Sequence, residues 1–182
     1  MTAASSASAR ERRAAAAARY QPARVDLLLV AEAPPESPDR YFYFDDVQAH
    51  DTLFRETCRA LLGREPTREK RELLTELQKR AAFLIDLKLD PKSAQSEDLS
   101  PHVPDLVARA RALVPRRVIL IKANVFDLAF GPLSEAGLPV VNKRIPFPGH
   151  GHQGRFREKM REALGEVPAL SPGAHSAKSS GR

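Results

Sequence analysis

Cysteine is almost missing from this chain, and a long apolar run is missing altogether. A single thiol, Cys58, among 182 residues excludes an internal disulfide and any four-cysteine zinc or iron–sulfur site built from this chain alone. One free thiol is ordinary for a reducing compartment. No apolar stretch approaches the roughly 20 residues that a bilayer-spanning helix needs, and no secretory apolar core is present. Together these absences lead to the expectation of a cytoplasmic chain with no membrane partner.

Acidic residues are scarce near both ends. Residues 1–24 hold five arginines against Glu11 alone, a net +4, and residues 171–182 hold Lys178 and Arg182 with no acid, a net +2. These two segments account for the whole formal charge of +6 and leave residues 25–170 neutral overall. The basic balance therefore does not by itself identify a binding face. A basic arm can add salt-sensitive, sequence-blind affinity for a phosphate backbone, and it equally fits a solubilising tail. The first segment, rich in Ala, Ser and Arg, shares its composition with organelle transit peptides, but a disordered or helical arm is the preferred reading.

What remains is enough for one domain with a real core. The division expected is a flexible basic arm over residues 1–24, an α/β domain over 25–165, and a disordered Ser/Gly/Ala-rich tail over 166–182. Within the domain, four short apolar runs read as buried parallel strands: residues 25–31, 82–87, 117–122 and 139–145. Helical spacing lies between and after them. Asp51 caps a helix reaching Leu62, and another starts near Thr67 and runs to Lys79. Ser100 caps a helix with proline in its first turn. A helix over 124–136 closes at Gly137, and the last helix covers 155–164. Alternation of this kind predicts a three-layer α/β/α architecture around a four-stranded parallel sheet.

In such sheets ligands bind beyond the carboxyl ends of the strands, and the unusual residues of this sequence gather there. Glu32 follows directly on the first strand, where a carboxylate either holds a water or caps a neighbouring helix. Ala33, Pro34 and Pro35 continue as a stiff turn that suits a pocket wall. Tyr41, Phe42, Tyr43 and Phe44 form a run of four aromatics; strand-like alternation would send one pair into the core and leave the other to line a cavity. A ring at a cavity mouth stacks on a nucleobase for about 1–3 kcal/mol; the alternative is packing alone. Asp86 closes the second strand, and a carboxylate there needs partners or points into a site. His150 and His152 lie between the last strand and the last helix, where an imidazole can donate to a developing oxyanion. Gln153 and Arg155 begin that helix as a candidate phosphate cradle. Read as metal ligands, the two histidines lack an evident third partner, so neither metal nor cofactor is expected.

The order of these parts resembles the uracil-DNA glycosylase superfamily over nearly the whole folded body. In the thermophile-type branch a glycine-glutamate-alanine-proline-glycine motif follows the first strand, where this chain has Ala31-Glu32-Ala33-Pro34-Pro35. An asparagine-containing segment before a proline ends the next strand, where this chain has Asp86 before Pro91. A histidine motif precedes the last helix, in the position of Pro148-Gly149-His150-Gly151-His152. The resemblance implies base excision from DNA by a monomer: Glu32 positions the attacking water and a ring among Tyr41–Phe44, with Phe42 and Tyr43 as the candidates, stacks on the flipped base. Asp86 then stands where the base-reading asparagine stands, and His150 stabilises the leaving base, with His152 as its substitute. The chain departs from the pattern at Pro35, which has no N–H to donate, at Asp86, which replaces an amide, and in lacking the iron–sulfur cysteines. A binding module that keeps the cleft without the chemistry is the alternative.

Overall fold

The computed structural model describes residues 3–45, 51–63, 69–149 and 151–165. Three parallel strands form the centre: β1 (Leu27–Ala31), β2 (Ala82–Asp86) and β3 (Arg117–Leu120), in the order β2-β1-β3. Leu28 and Val30 of β1 and Val118, Ile119 and Leu120 of β3 are fully buried. Burial on both faces explains why these strands read as continuous apolar runs instead of alternating ones.

The helices are α1 (Ala3–Tyr20), α2 (Thr52–Leu62), α3 (Lys70–Lys79), α4 (Val103–Ala112), α5 (Ala123–Glu135) and α6 (Gln153–Gly165). They pack as two groups, α1, α2, α3 and α6 in one and α4 with α5 in the other. The chain moves from β1 to β2 in one direction across the sheet, then returns past β1 to β3. Right-handed crossovers make these opposite movements place their helices on opposite faces. The connections leaving β1 and β3, which are neighbours, therefore diverge to different sides. A crevice opens at that point of divergence. No described helix is long and apolar enough to cross a membrane.

The cap at Asp51 and the end of its helix at Leu62 hold, and other local readings shift. Asp51 caps α2 by accepting the Phe54 N–H at 3.0 Å, and Gly63 ends the helix in the left-handed region (φ 69°). Ser100 is not the cap of α4: residues Ser100–His102 form a 3₁₀ turn ahead of it, and the Asp98 side chain holds the Ser100 N–H and hydroxyl. Thr67 lies outside the described residues, as does the tail from residue 166.

The expected fourth strand is present only as two contact points. Val118 pairs with Val140 and Ile121 with Ile145, both parallel. Between them the Lys143 N–H turns back to the Val141 carbonyl at 2.8 Å. A bond between residues two apart is a γ-turn, which lifts the chain off the ladder. The displaced Lys143 and Arg144 side chains pair with Glu162 and Asp127. Polar anchors outside the sheet thus win over continuous pairing.

The N-terminal segment takes the helical form of the two considered, and it is not a free arm. Ala16 and Tyr20 join the core. Gln78 donates to the Arg19 and Gln21 carbonyls, and Arg13, only 5 % exposed, reaches Asp90 at 3.2 Å. All five of its arginines face acids: Arg10 and Arg13 share Asp90, Arg12 meets Asp39, Arg19 meets Asp45 and Arg24 meets Asp26. The charge that made this segment look like a phosphate-seeking arm is paired with acids of the same chain instead, with Arg13 buried and the other four arginines at the surface.

The outer edge of β2 shows how one side chain can complete a sheet. The Tyr43 hydroxyl accepts the Leu84 N–H at 2.7 Å and donates to the Leu84 carbonyl at 3.0 Å. Next along the same edge, the Arg109 guanidinium donates to the carbonyls of Asp86 and Leu87, each at 3.0 Å. Replacing Tyr43 by Phe keeps the ring but orphans a buried donor and acceptor together, at a cost of about 1–3 kcal/mol. Urea unfolding of Tyr43→Phe is expected to show a lower midpoint with an unchanged slope; an unshifted midpoint contradicts this account of the edge.

Candidate functional site

Glu32 is the first residue past β1, and everything around it comes from a different part of the chain. Lys122 follows β3, Asn124 stands in the first turn of α5, and Lys92 comes from the loop after β2. Both lysine ammonium groups and the Asn124 amide donate to the Glu32 carboxylate, Lys92 at 3.2 Å. Asn124 is oriented by its own oxygen, which accepts the Val125 N–H at 2.9 Å. Lys92 is presented by a loop stapled onto itself: Glu97 takes the Lys88 ammonium and the Ser93 N–H and hydroxyl, and Lys92 also bonds the Gln95 carbonyl. This cluster sits at the crevice between β1 and β3.

Lys122 holds its place at a conformational cost. Its φ of 86° lies where a side chain is crowded, and such backbones cost roughly 1–3 kcal/mol unless their surroundings fix them. Here the Lys122 N–H donates to Ile145 at 2.7 Å and its carbonyl accepts from Phe126 at 3.1 Å. The chain is thereby forced to turn sharply from β3 into α5, and the ammonium swings to Glu32.

Burial is the largest influence on Glu32 and works to raise its pKa. The hydrogen bonds from Lys122, Asn124 and Lys92 together outweigh it and leave the carboxyl below its ordinary range. The group is ionised at neutral pH. A carboxylate offers about four acceptor positions, of which three are filled.

A cavity of about 550 Å³ opens beside this cluster, within the range of about 300–1,000 Å³ usual for ligand sites. Ala33, Pro34 and Pro35 wall it next to Glu32, and Tyr41, Phe42 and Leu53 supply apolar surface. Asp86, the last residue of β2 and the register partner of Ala31, lies in the lining although only 8 % exposed. No hydrogen bond reaches its carboxyl group among the described residues. Burial pushes its pKa up to about 7, against the pull of Arg109 and Arg13. Burial also raises the Tyr41 phenol well above its usual range, so that ring presents a neutral hydroxyl.

The sequence-predicted residues divide clearly. Glu32, Ala33, Pro34, Phe42 and Asp86 share the cavity. Tyr43 does not line it: it is 3 % exposed, stacked on Tyr20 with ring centroids 6.3 Å apart, and committed to the edge of β2. Strand-like alternation fails for these aromatics because the segment is a turn, with the Phe44 N–H bonded to the Tyr41 carbonyl at 3.2 Å. Tyr41 takes the lining position instead. His150 lies outside the described residues. Just before it in the chain, Phe147 and Gly149 line the cavity, whereas His152, Gln153 and Arg155 after it are not part of the lining. Phe147 is 43 % exposed at the mouth, its ring 3.2 Å from where a side chain on Gly149 would begin.

Lys92, Lys122, Asn124 and Phe147 were not anticipated as site residues. A signal existed for the cations: a carboxylate placed immediately after a buried strand needs opposite charge nearby, and Lys122 ends the neighbouring strand. Among the described residues no three His, Cys, Asp or Glu side chains gather as a metal-binding group. In comparisons with protein-family models and with curated proteins, no match to this chain was found.

Two outcomes follow from the charge arrangement. Lys122→Met removes the first of the donors that hold Glu32 ionised, so its titration, followed by carboxyl NMR, is expected to move up; an unmoved midpoint means that Lys92 and Asn124 suffice. Asp86 has a folded pKa of about 7 against an ordinary 3.8, so the folded state binds its proton more tightly. The stability this confers is fully present below about pH 4 and is lost as pH rises towards 7. Asp86→Asn removes that dependence. Its stability relative to the parent protein is expected to improve between about pH 4 and 8, by on the order of 2–4 kcal/mol; parallel melting profiles refute this.

Proposed function

We propose that the cavity is the base pocket of a uracil-DNA glycosylase-like hydrolase. This enzyme cleaves the N-glycosidic bond of a base flipped out of DNA. The same reading takes the fold as the three-layer glycosylase type, with residues 139–145 as the remnant of its fourth strand. The observation that supports it best is the convergence of Glu32, Asp86 and the rings of Tyr41 and Phe42 on one cavity of ligand size at the strand ends.

The chemistry asked of each group fits its surroundings. Extruding a base costs a few kcal/mol, which a stacked, hydrogen-bonded pocket repays; Tyr41 and Phe42 offer the flat apolar surface. Glu32 is ionised and has about one acceptor position left, enough to hold one water. That water attacks the sugar C1′ and gives its proton to Glu32. The bond between C1′ and the base nitrogen breaks, its electron pair leaves on the base, and an abasic site and a free base result. The same carboxylate stabilises positive charge developing on the sugar. His150, next in the chain after the cavity-lining Gly149, is the assigned donor to the departing base. Arg155, exposed at the start of α6, is the assigned phosphate contact.

One observation favours the runner-up, a nucleic-acid-binding module without catalysis. Three donors hold Glu32 below its ordinary pKa, and a carboxylate so satisfied is a weak base. The two readings separate in a single assay on oligonucleotides carrying uracil or hypoxanthine. Catalysis is expected to yield abasic product, reduced about 10²–10⁴-fold in Glu32→Ala. Salt-dependent binding with no abasic product, in the parent protein and in Glu32→Ala alike, supports the binding module and ends the enzymatic proposal.

A further inference from the structure

Asp86 is the buried group of this cavity for which the proposed chemistry has least explanation. Its strand-end position is rigid: β2 pairs with β1 through Ala31, and Arg109 grips its backbone carbonyl from the other side. Its carboxyl lines the cavity and has no hydrogen-bond partner among the described residues. A polar group left in that condition costs free energy unless a ligand or water completes it.

The charges that face it come from several elements. Arg109 from α4 and Arg13 from α1 favour the anion, and Asp51 at the head of α2 opposes it. Tyr41, from the loop before α2, also faces it and is neutral. Glu32, across the cavity on the β1 side, has its charge covered by Lys92 and Lys122. Neither arginine donates a hydrogen bond to the Asp86 carboxyl oxygens; Arg109 donates to the backbone and to Asp105, and Arg13 to Asp90 and the Leu89 carbonyl. Among the described residues no ion pair therefore fixes the group as an anion.

We infer that Asp86 reads the edge of the bound base as a neutral carboxyl group, its hydroxyl donating to a ring acceptor while its carbonyl oxygen accepts the adjacent N–H. This rests on the base-pocket reading above. A neutral carboxyl is a donor beside an acceptor, and it matches any base edge with one N–H next to one acceptor, such as the N3–H and O4 of uracil. Because the proton can sit on either oxygen, a cytosine edge fits as well. When the proton leaves, both oxygens accept. The site then repels a ring carbonyl and favours two adjacent N–H groups, as guanine presents at N1 and its 2-amino group. Selection between these two classes of edge thus follows the protonation of Asp86, and a fixed carboxamide would lack that response.

The test uses the full chain and short strands of abasic tetrahydrofuran units carrying one central uracil or one central guanine, with the all-abasic strand as blank. Affinities are measured by fluorescence anisotropy between about pH 6 and 8.5. The ratio of uracil to guanine affinity is expected to favour uracil at the acid end and to fall by up to about tenfold per pH unit above 7. Asp86→Asn is expected to hold a constant ratio, whatever the histidines do to each affinity separately. A flat ratio in the parent protein, or an equal slope in Asp86→Asn, overturns the inference. Release of free uracil from the same strand then still decides the base-excision reading. A sloping ratio without uracil release leaves the inference standing and removes catalysis. Indifference to the central base at every pH overturns both.

Discussion

The hydrogen-bonded ion cluster on Glu32 is the constraint around which this molecule is arranged. One carboxylate draws together the ends of β1 and β3, the first turn of α5 and the loop after β2. Pairs between exposed charges contribute little. This one is partly buried, has three donors, and lies where two connections leave the sheet towards opposite faces. Removing the carboxylate would leave two lysine ammonium groups facing each other without their shared partner. The strained backbone at Lys122 is tolerable because the cluster and the contact with Ile145 hold it from both sides.

The same carboxylate separates two roles that could have fallen on one residue. Glu32 is surrounded by donors and stays ionised; Asp86, an adjacent strand away, has none among the described residues and has its pKa raised by burial. Two acids of similar intrinsic strength share a cavity with their proton affinities pushed apart, an arrangement that characterises functional sites more than structural ones. The docked α1 belongs to this electrostatic pattern too: Arg13 lies near enough to Asp86 to favour its anion, while its hydrogen bonds go to the loop beyond β2. What the helix does for the cavity is therefore electrostatic as well as structural.

Much of the fold was legible because its signals are local. Apolar runs of six or seven residues with punctuation on both sides gave the three strands, and Asp51 and Leu62 marked the limits of α2 correctly. The site was legible to the extent that strand ends announce themselves: Glu32 and Asp86 follow or end such runs. What failed to show depends on tertiary competition. Whether residues 139–145 pair continuously was decided by where Lys143 and Arg144 find acids. Which aromatic enters the cavity was decided by a turn that breaks alternation, giving Tyr41 the lining and Tyr43 the sheet edge. The pairing of Arg10, Arg12, Arg13 and Arg19 rests on Asp39, Asp45 and Asp90, none adjacent in sequence. Lys92 is brought to Glu32 by a loop whose staples a linear pattern does not reveal.

The way the sheet is finished at its two sides has a consequence for the company this chain keeps. An open strand edge invites a further strand, from a second copy or a fibril. On one side, Tyr43 and Arg109 occupy the Leu84 N–H and carbonyl and the carbonyls of Asp86 and Leu87; on the other, the γ-turn at Lys143 interrupts any regular row of donors and acceptors. Neither margin offers a template for growth. Side-chain surface is therefore the readier route to another macromolecule, and the strand-end mouth with the exposed Phe147 ring is where that surface meets the cavity.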